Sequence, residues 1–158
     1  MDRAASAPTN TARRYASTVM TRLADYAFTV HLNAPFDDAL DRVTSALRDE
    51  GFGVITSIDV QQTLKDKIDV DFRKYAILGA CNPKLANRAL STDPQIGLLL
   101  PCNVIVYEDE GADSTTISVV DPLGMLGGLE AREFQDVADE AHARLSWVAA
   151  ASPATSIT

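Results

Sequence analysis

An α+β fold is predicted by three observations: an alternating apolar run over residues 26–32, helical apolar patterns that follow Pro35 and Asn82-Pro83, and two short apolar runs joined by an acidic, turn-rich connection at 108–113. They give the order β-α-β-β-α-β-β-α. Packed in layers, this is a mixed, largely antiparallel sheet of about five strands with helices on one face.

The first strand is set by Tyr26, Phe28, Val30 and Leu32, which alternate with Ala27, Thr29, His31 and Asn33. After Pro35 the apolar residues Phe36, Leu40, Val43 and Leu47 share one helical face, Asp37 and Asp38 suit the helix's positive end, and Gly51 stops it. Phe52 to Val60 reads as a second strand, and Thr63 as the N-cap of a short helix carrying Leu64 and Ile68. Tyr75, Ile77 and Gly79 lead to Cys81 on a third strand. Asn82 then caps, and Pro83 opens, a helix with Leu85, Ala86, Ala89 and Leu90 on its apolar face, ended by Asp93-Pro94. Cys102 to Tyr107 is a fourth strand and Thr115 to Val120 a fifth, with a hairpin-type turn between them. Asp121 to Gly128 reads as loop. Phe134, Val137, Ala138, Ala141, Leu145 and Val148 mark the last helix.

This division places one domain at residues 25–150, between a tail or frayed helix at 1–24 and a short tail at 151–158. Hydrophobic residues make up 46% and charged residues 23% of the 158, a balance that suits a globular domain. The net charge of −8 argues against a nucleic-acid partner, which needs a positive footprint. Arg3, Arg13, Arg14 and Arg22 lie among Ala, Ser and Thr with no apolar run of the secretory kind, and Ile96 to Leu100 is too short to span a bilayer. A cytoplasmic protein with no membrane partner is expected, and its two cysteines are read as reduced thiols.

The segments Tyr75-Ala76-Ile77-Leu78-Gly79-Ala80-Cys81-Asn82-Pro83 and Gly97-Leu98-Leu99-Leu100-Pro101-Cys102-Asn103-Val104 carry a specific signal. In them the chain resembles the bacterial and archaeal domain-of-unknown-function family 302. The resemblance runs from about Phe28 to Met125 and takes in the helix after Pro35, the Gly51-Phe52 turn and Asp121-Pro122. It implies a small α+β domain that tends to pair as a homodimer, and it brings no established activity. Cys81, Asn82, Pro83, Pro101, Cys102, Asn103, Asp121 and Pro122 occupy the family's recurrent positions.

Cys81 stands just before a helix start, where unpaired N–H groups favour a thiolate, although packing is the simpler reading for a free cysteine at a strand end. Cys102 shares a strand face with Val104 and Val106. A strand-helix-strand crossover makes the third and fourth strands parallel, which sets the two thiols far apart unless Pro94 to Leu100 runs back along the helix or a second protomer supplies one of them. Neither a Cys-x-x-Cys pair nor zinc-type spacing is present. His31 falls on the polar face of the first strand and His142 beside the apolar stripe of the last helix, so bases are scarce. Met125 with Cys102 would suit a soft ion such as Cu(I), the Asp121 loop offers N–H groups to a small anion, and Glu108-Asp109-Glu110 lacks calcium-loop spacing.

The expected function is a homodimeric, non-enzymatic binding module for a small ligand or soft metal near Cys81 and Cys102. The candidate ligand-binding residues are Cys81, Asn82, Cys102, Asn103, Asp121 and Met125. One alternative is a thiol-dependent enzyme with Cys81 or Cys102 as nucleophile, a reading that the shortage of bases weakens. The other is a purely structural or interaction domain. No catalytic residue, resident metal or cofactor is assigned.

Overall fold

Alternation and turn chemistry place the strands almost where the sequence does. In the computed structural model, residues 26–111, 113–126 and 132–153 are described. Among them β1 (Ala27–Leu32), β2 (Gly53–Asp59), β3 (Tyr75–Cys81), β4 (Cys102–Glu108) and β5 (Thr115–Val120) form a five-stranded sheet of order β1-β5-β4-β3-β2. Each neighbouring pair is antiparallel. The helices are α1 (Phe36–Asp49), α2 (Val60–Ile68), α3 (Pro83–Thr92), α4 (Pro122–Leu126) and α5 (Gln135–Ala151), with 3-10 segments at Pro94–Leu99 and Arg132–Phe134. The expected amino-terminal tail, residues 1–24, lies outside the described residues, as do Gly127 and Gly128.

The core lies between one face of the sheet and helices α1 and α5. Val43 and Leu47 of α1, Val104 and Val106 of β4, Ile117 and Val119 of β5, and Leu145 and Val148 of α5 are completely buried there. Strand parity does the sorting: Leu78 and Ala80 of β3 face the helices with Val104 and Val106, while Ile77 and Ile105 point to the other face. Helix α1 ends in a Schellman turn, with the Phe52 N–H donating to the Leu47 carbonyl at 2.8 Å and Gly51 at φ +80°. A side chain at residue 51 would be strained by that positive φ.

Three expectations need correction. The third and fourth strands are antiparallel, because the chain between them leaves and returns to the same end of the sheet. Helix α3, with ten residues, runs out for about 15 Å. The six-residue 3-10 segment brings the chain back by about 12 Å. The second helix begins at Val60, since Asp59 is the cap and accepts from the Gln62 N–H at 2.9 Å, while Thr63 donates its hydroxyl proton to the Asp59 carbonyl at 2.7 Å. Residues Pro122–Leu126 of the expected loop form a helical turn.

Gly79 sits where β2, β3 and the Pro101 corner crowd together. A Cβ there would strike the Thr56 hydroxyl and come within 2.7 Å of the Pro101 ring. Gly79→Ala is therefore expected to lower stability by about 1–3 kcal/mol, the usual cost of forcing an extra carbon into a packed site. Urea denaturation read by circular dichroism tests this, and an unchanged midpoint would mean that the corner relaxes freely.

Candidate functional site

The out-and-back path between β3 and β4 leaves a space beneath it. A cavity of about 330 Å³, open to solvent, lies between the end of the sheet, α3, the Pro94–Leu99 segment, α4 and α5. Leu85, Ala86 and Ala89 come from α3, Leu99 to Cys102 from the return path, Pro122, Met125 and Leu126 from α4, and Val137, Ala138 and Ala141 from α5. Among the described lining residues none is charged and none is a histidine. Among the described lining residues the amide of Asn82 is the one polar side chain apart from sulfur. Its Oδ1 is already committed as the cap of α3, accepting from the Leu85 N–H at 3.3 Å.

Both thiols line this cavity and neither is in a disulfide. Antiparallel pairing sets Cys102 opposite Ala80, the residue just before Cys81, so the two cysteines stand one position out of register at the same end of neighbouring strands. The expectation that the thiols lie far apart is thus overturned by the same return path that overturns the parallel pairing. Burial among apolar side chains pushes the Cys102 thiol up to about 11, and Cys81 adds to that shift. At neutral pH Cys102 is a protonated, weakly nucleophilic thiol.

The other sequence candidates divide. Met125 lines the cavity on the α4 side, so it shares one space with both cysteines. Asn103 is exposed and, by strand parity, lies on the opposite face from Cys102. Asp121 is half-buried at the start of α4, where its Oδ1 accepts from the Leu123 N–H at 3.0 Å and meets Nδ1 of His142 at 2.8 Å. The Met125 N–H donates to the Asp121 carbonyl at 3.1 Å, so the N–H groups expected to hold an anion include two that the helical turn itself uses. His142 packs its ring against Phe28, with centroids 5.2 Å apart. Among the described residues no group of three or more His, Cys, Asp or Glu stands together as a metal-ligand set.

Sequence reasoning missed two parts of the molecule. The small residues Ala86, Ala138 and Ala141, read only as apolar positions of two helices, make the cavity walls, and their small size is the signal that space is left beside them. On the outer sheet face, Thr116 donates its hydroxyl proton to Asp109 Oδ1 at 2.6 Å and also meets Nδ1 of His31 at 2.8 Å. Tyr75 and Tyr107 stack nearly parallel beside that row, with centroids 5.3 Å apart. Asp109 also accepts from the Ser114 hydroxyl, and these two hydrogen bonds hold its carboxyl below the usual carboxylate range.

The raised Cys102 thiol carries a pH signature. The folded state keeps its proton up to about pH 11, while the unfolded thiol releases it from the ordinary value of 9.0 upward. The folded protein therefore binds more protons in this window, and stability falls as pH rises from about 9 to 11. In Cys102→Ala this part of the decline is expected to disappear, as measured by urea midpoints between pH 7 and 11. Equal slopes in the two proteins would show that the thiol ionises as freely folded as unfolded.

The comparisons with known proteins agree with this architecture. No curated protein matches the chain. A solved structure described as an uncharacterized conserved protein DUF302 from Bacillus stearothermophilus is similar at 28% identity and a TM-score of 0.71, over 79% of this chain and 96% of that one. The family model described as domain of unknown function DUF302 matches residues 28–152. On that span, and with the Cys81 and Cys102 segments inside it, the chain belongs to the DUF302 family.

Proposed function

We propose that this domain is a non-enzymatic binding module that takes a small apolar molecule into the cavity beside Cys81 and Cys102. The observation that carries the reading is the lining itself: an open space of about 330 Å³ walled by apolar side chains, with one committed amide and no charged group among the described residues. Such a surface gains from excluding water and has nothing with which to orient a charged substrate. The same composition speaks against a thiol-dependent enzyme. A nucleophilic cysteine needs a proton acceptor, no histidine lines the cavity among the described residues, and burial keeps Cys102 protonated.

A soft cation is the second reading, favoured by one fact. Cys81, Cys102 and Met125 bring three sulfur atoms to one cavity that offers few oxygen or nitrogen donors.

Fluorescence titration with the neutral probe N-phenyl-1-naphthylamine tests the first reading. Ala86 is half-buried on the α3 wall, so Ala86→Phe fills the space without overpacking the core. Enhanced fluorescence that is saturable in the wild type and weakened about tenfold or more in Ala86→Phe is expected for a filled pocket of this kind. If the probe gives no saturable signal, while Cu(I) binds with one equivalent in the wild type and is lost in Cys102→Ala, the site belongs to the soft ion instead.

Pairing with a second copy is part of the same proposal. The outer sheet face supports it, since Ile58, Ile77 and Ile105 form a cross-strand apolar row that is half-buried or exposed in the single chain. Light scattering is expected to return twice the chain mass, and Ile105→Asp to return the single mass. A wild type of single mass at micromolar concentration would end this part of the reading.

A further inference from the structure

We propose that the edge of β2 takes up an extended peptide of another protein, which pairs its backbone with the strand and sets one apolar side chain into the cavity. This rests on the apolar-cavity reading above and names what fills the space. The first line of support is the edge itself. Among the described residues β2 ends the sheet and pairs with β3 alone, so alternate residues turn their N–H and C=O groups away from the sheet. Sheet edges are ordinarily blunted by charge, proline or a covering element. Gly53-Val54-Ile55-Thr56-Ser57-Ile58 holds neither a charge nor a proline, and all six except Val54 are exposed. At the strand's first residue, a Cβ added to Gly53 would meet nothing within 4 Å.

The second line is the link between this edge and the cavity. The register of β2 against β3 slips between Val54 and Thr56, which makes Ile55 the extra residue of a bulge, a device that re-aims a side chain. Ile55 is 63% exposed and still lines the cavity. Phe52, just before β2, and Cys81, paired with Gly53, line the same space. No residue of β1, the strand at the other edge, does so. A strand added to β2 would lie about 4.8 Å from it, with every second side chain on the cavity's side of the sheet.

The third line is charge. Asp49 and Asp59, both exposed, flank the uncharged stretch of β2 at its two ends. Residues 1–25 contribute +2 to the chain's charge of −8, so residues 26–158 carry −10. An acidic body with an uncharged edge between two carboxylates favours a peptide that is apolar in the middle and basic at both ends. Main-chain pairing gives such a complex its affinity, and the pocket for one side chain gives its selectivity. Pairing of two copies through the outer sheet face does not use these backbone groups, because they lie in the plane of the sheet.

The test uses the full chain and a fluorescein-labelled heptapeptide, Lys-Thr-Val-Leu-Val-Thr-Lys, read by anisotropy, with N-phenyl-1-naphthylamine as the probe of the cavity. Saturable peptide binding that displaces the probe is expected. Two further peptides carry methyl groups on alternate backbone nitrogens, one for each strand parity. One is expected to bind about tenfold or more weakly and the other as the parent does, since only one set of N–H groups faces β2. Ser57 is exposed and outside the cavity wall, so Ser57→Lys is expected to weaken the peptide by a similar factor and leave the probe's affinity unchanged. Probe binding with no peptide binding would overturn the edge and leave the cavity reading standing. Peptide binding that both methylated forms retain would overturn strand pairing. Peptide binding lost in one methylated form, with no saturable probe signal, would keep the edge and overturn the small-molecule reading. A wild-type dimer that takes no peptide and falls to single mass in Ser57→Lys would give the edge to a second copy and overturn the peptide.

Discussion

The chain between β3 and β4 starts and finishes at the same end of the sheet, and most of what is distinctive in this molecule depends on that. Antiparallel neighbours are ordinarily joined by a tight turn. Here the join contains α3 and a 3-10 segment that returns beside it, so the connection stands off the sheet as an arch. Asn82 and Pro83 start the outward limb, Asp93 and Pro94 turn it, and Pro101 delivers the chain into β4. The arch places Cys81 and Cys102 together at its foot, and the residues that α4 and α5 present beneath it close the remaining walls.

Elements whose patterning is local were readable in the sequence. β1 shows strict alternation, α1 has its apolar face and a glycine stop, and the bounds of β3 and β5 follow from the residues that flank them. The direction of β4 was not readable, because it depends on what Pro94–Leu99 does after α3 ends. A six-residue run of Pro, Gln, Ile, Gly and two Leu has no period that separates a returning 3-10 segment from an extended crossover. That single ambiguity also hid the meeting of the thiols.

The candidate site was legible as residues but not as a space. Cys81, Asn82, Cys102 and Met125 stand out in the sequence and all line the cavity. The walls are built from alanines on α3 and α5, and no sequence pattern separates an alanine that lets two helices pack closely from one that leaves room between them. Asp121 marks the cavity indirectly. Its Oδ1 caps the turn that carries Met125 and also fixes His142, so that oxygen is spent on structure.

The outer sheet face holds a hydrogen-bond chain whose direction is determined. Thr116 has one hydroxyl proton and gives it to Asp109, so its oxygen can only accept from His31. A neutral His31 ring therefore carries its proton on Nδ1, and Nε2 becomes an acceptor whose lone pair has a fixed heading. One carboxylate, buried in none of the cavity's business, thus selects a single tautomer two side chains away and leaves the face opposite the cavity with a proton acceptor of set orientation.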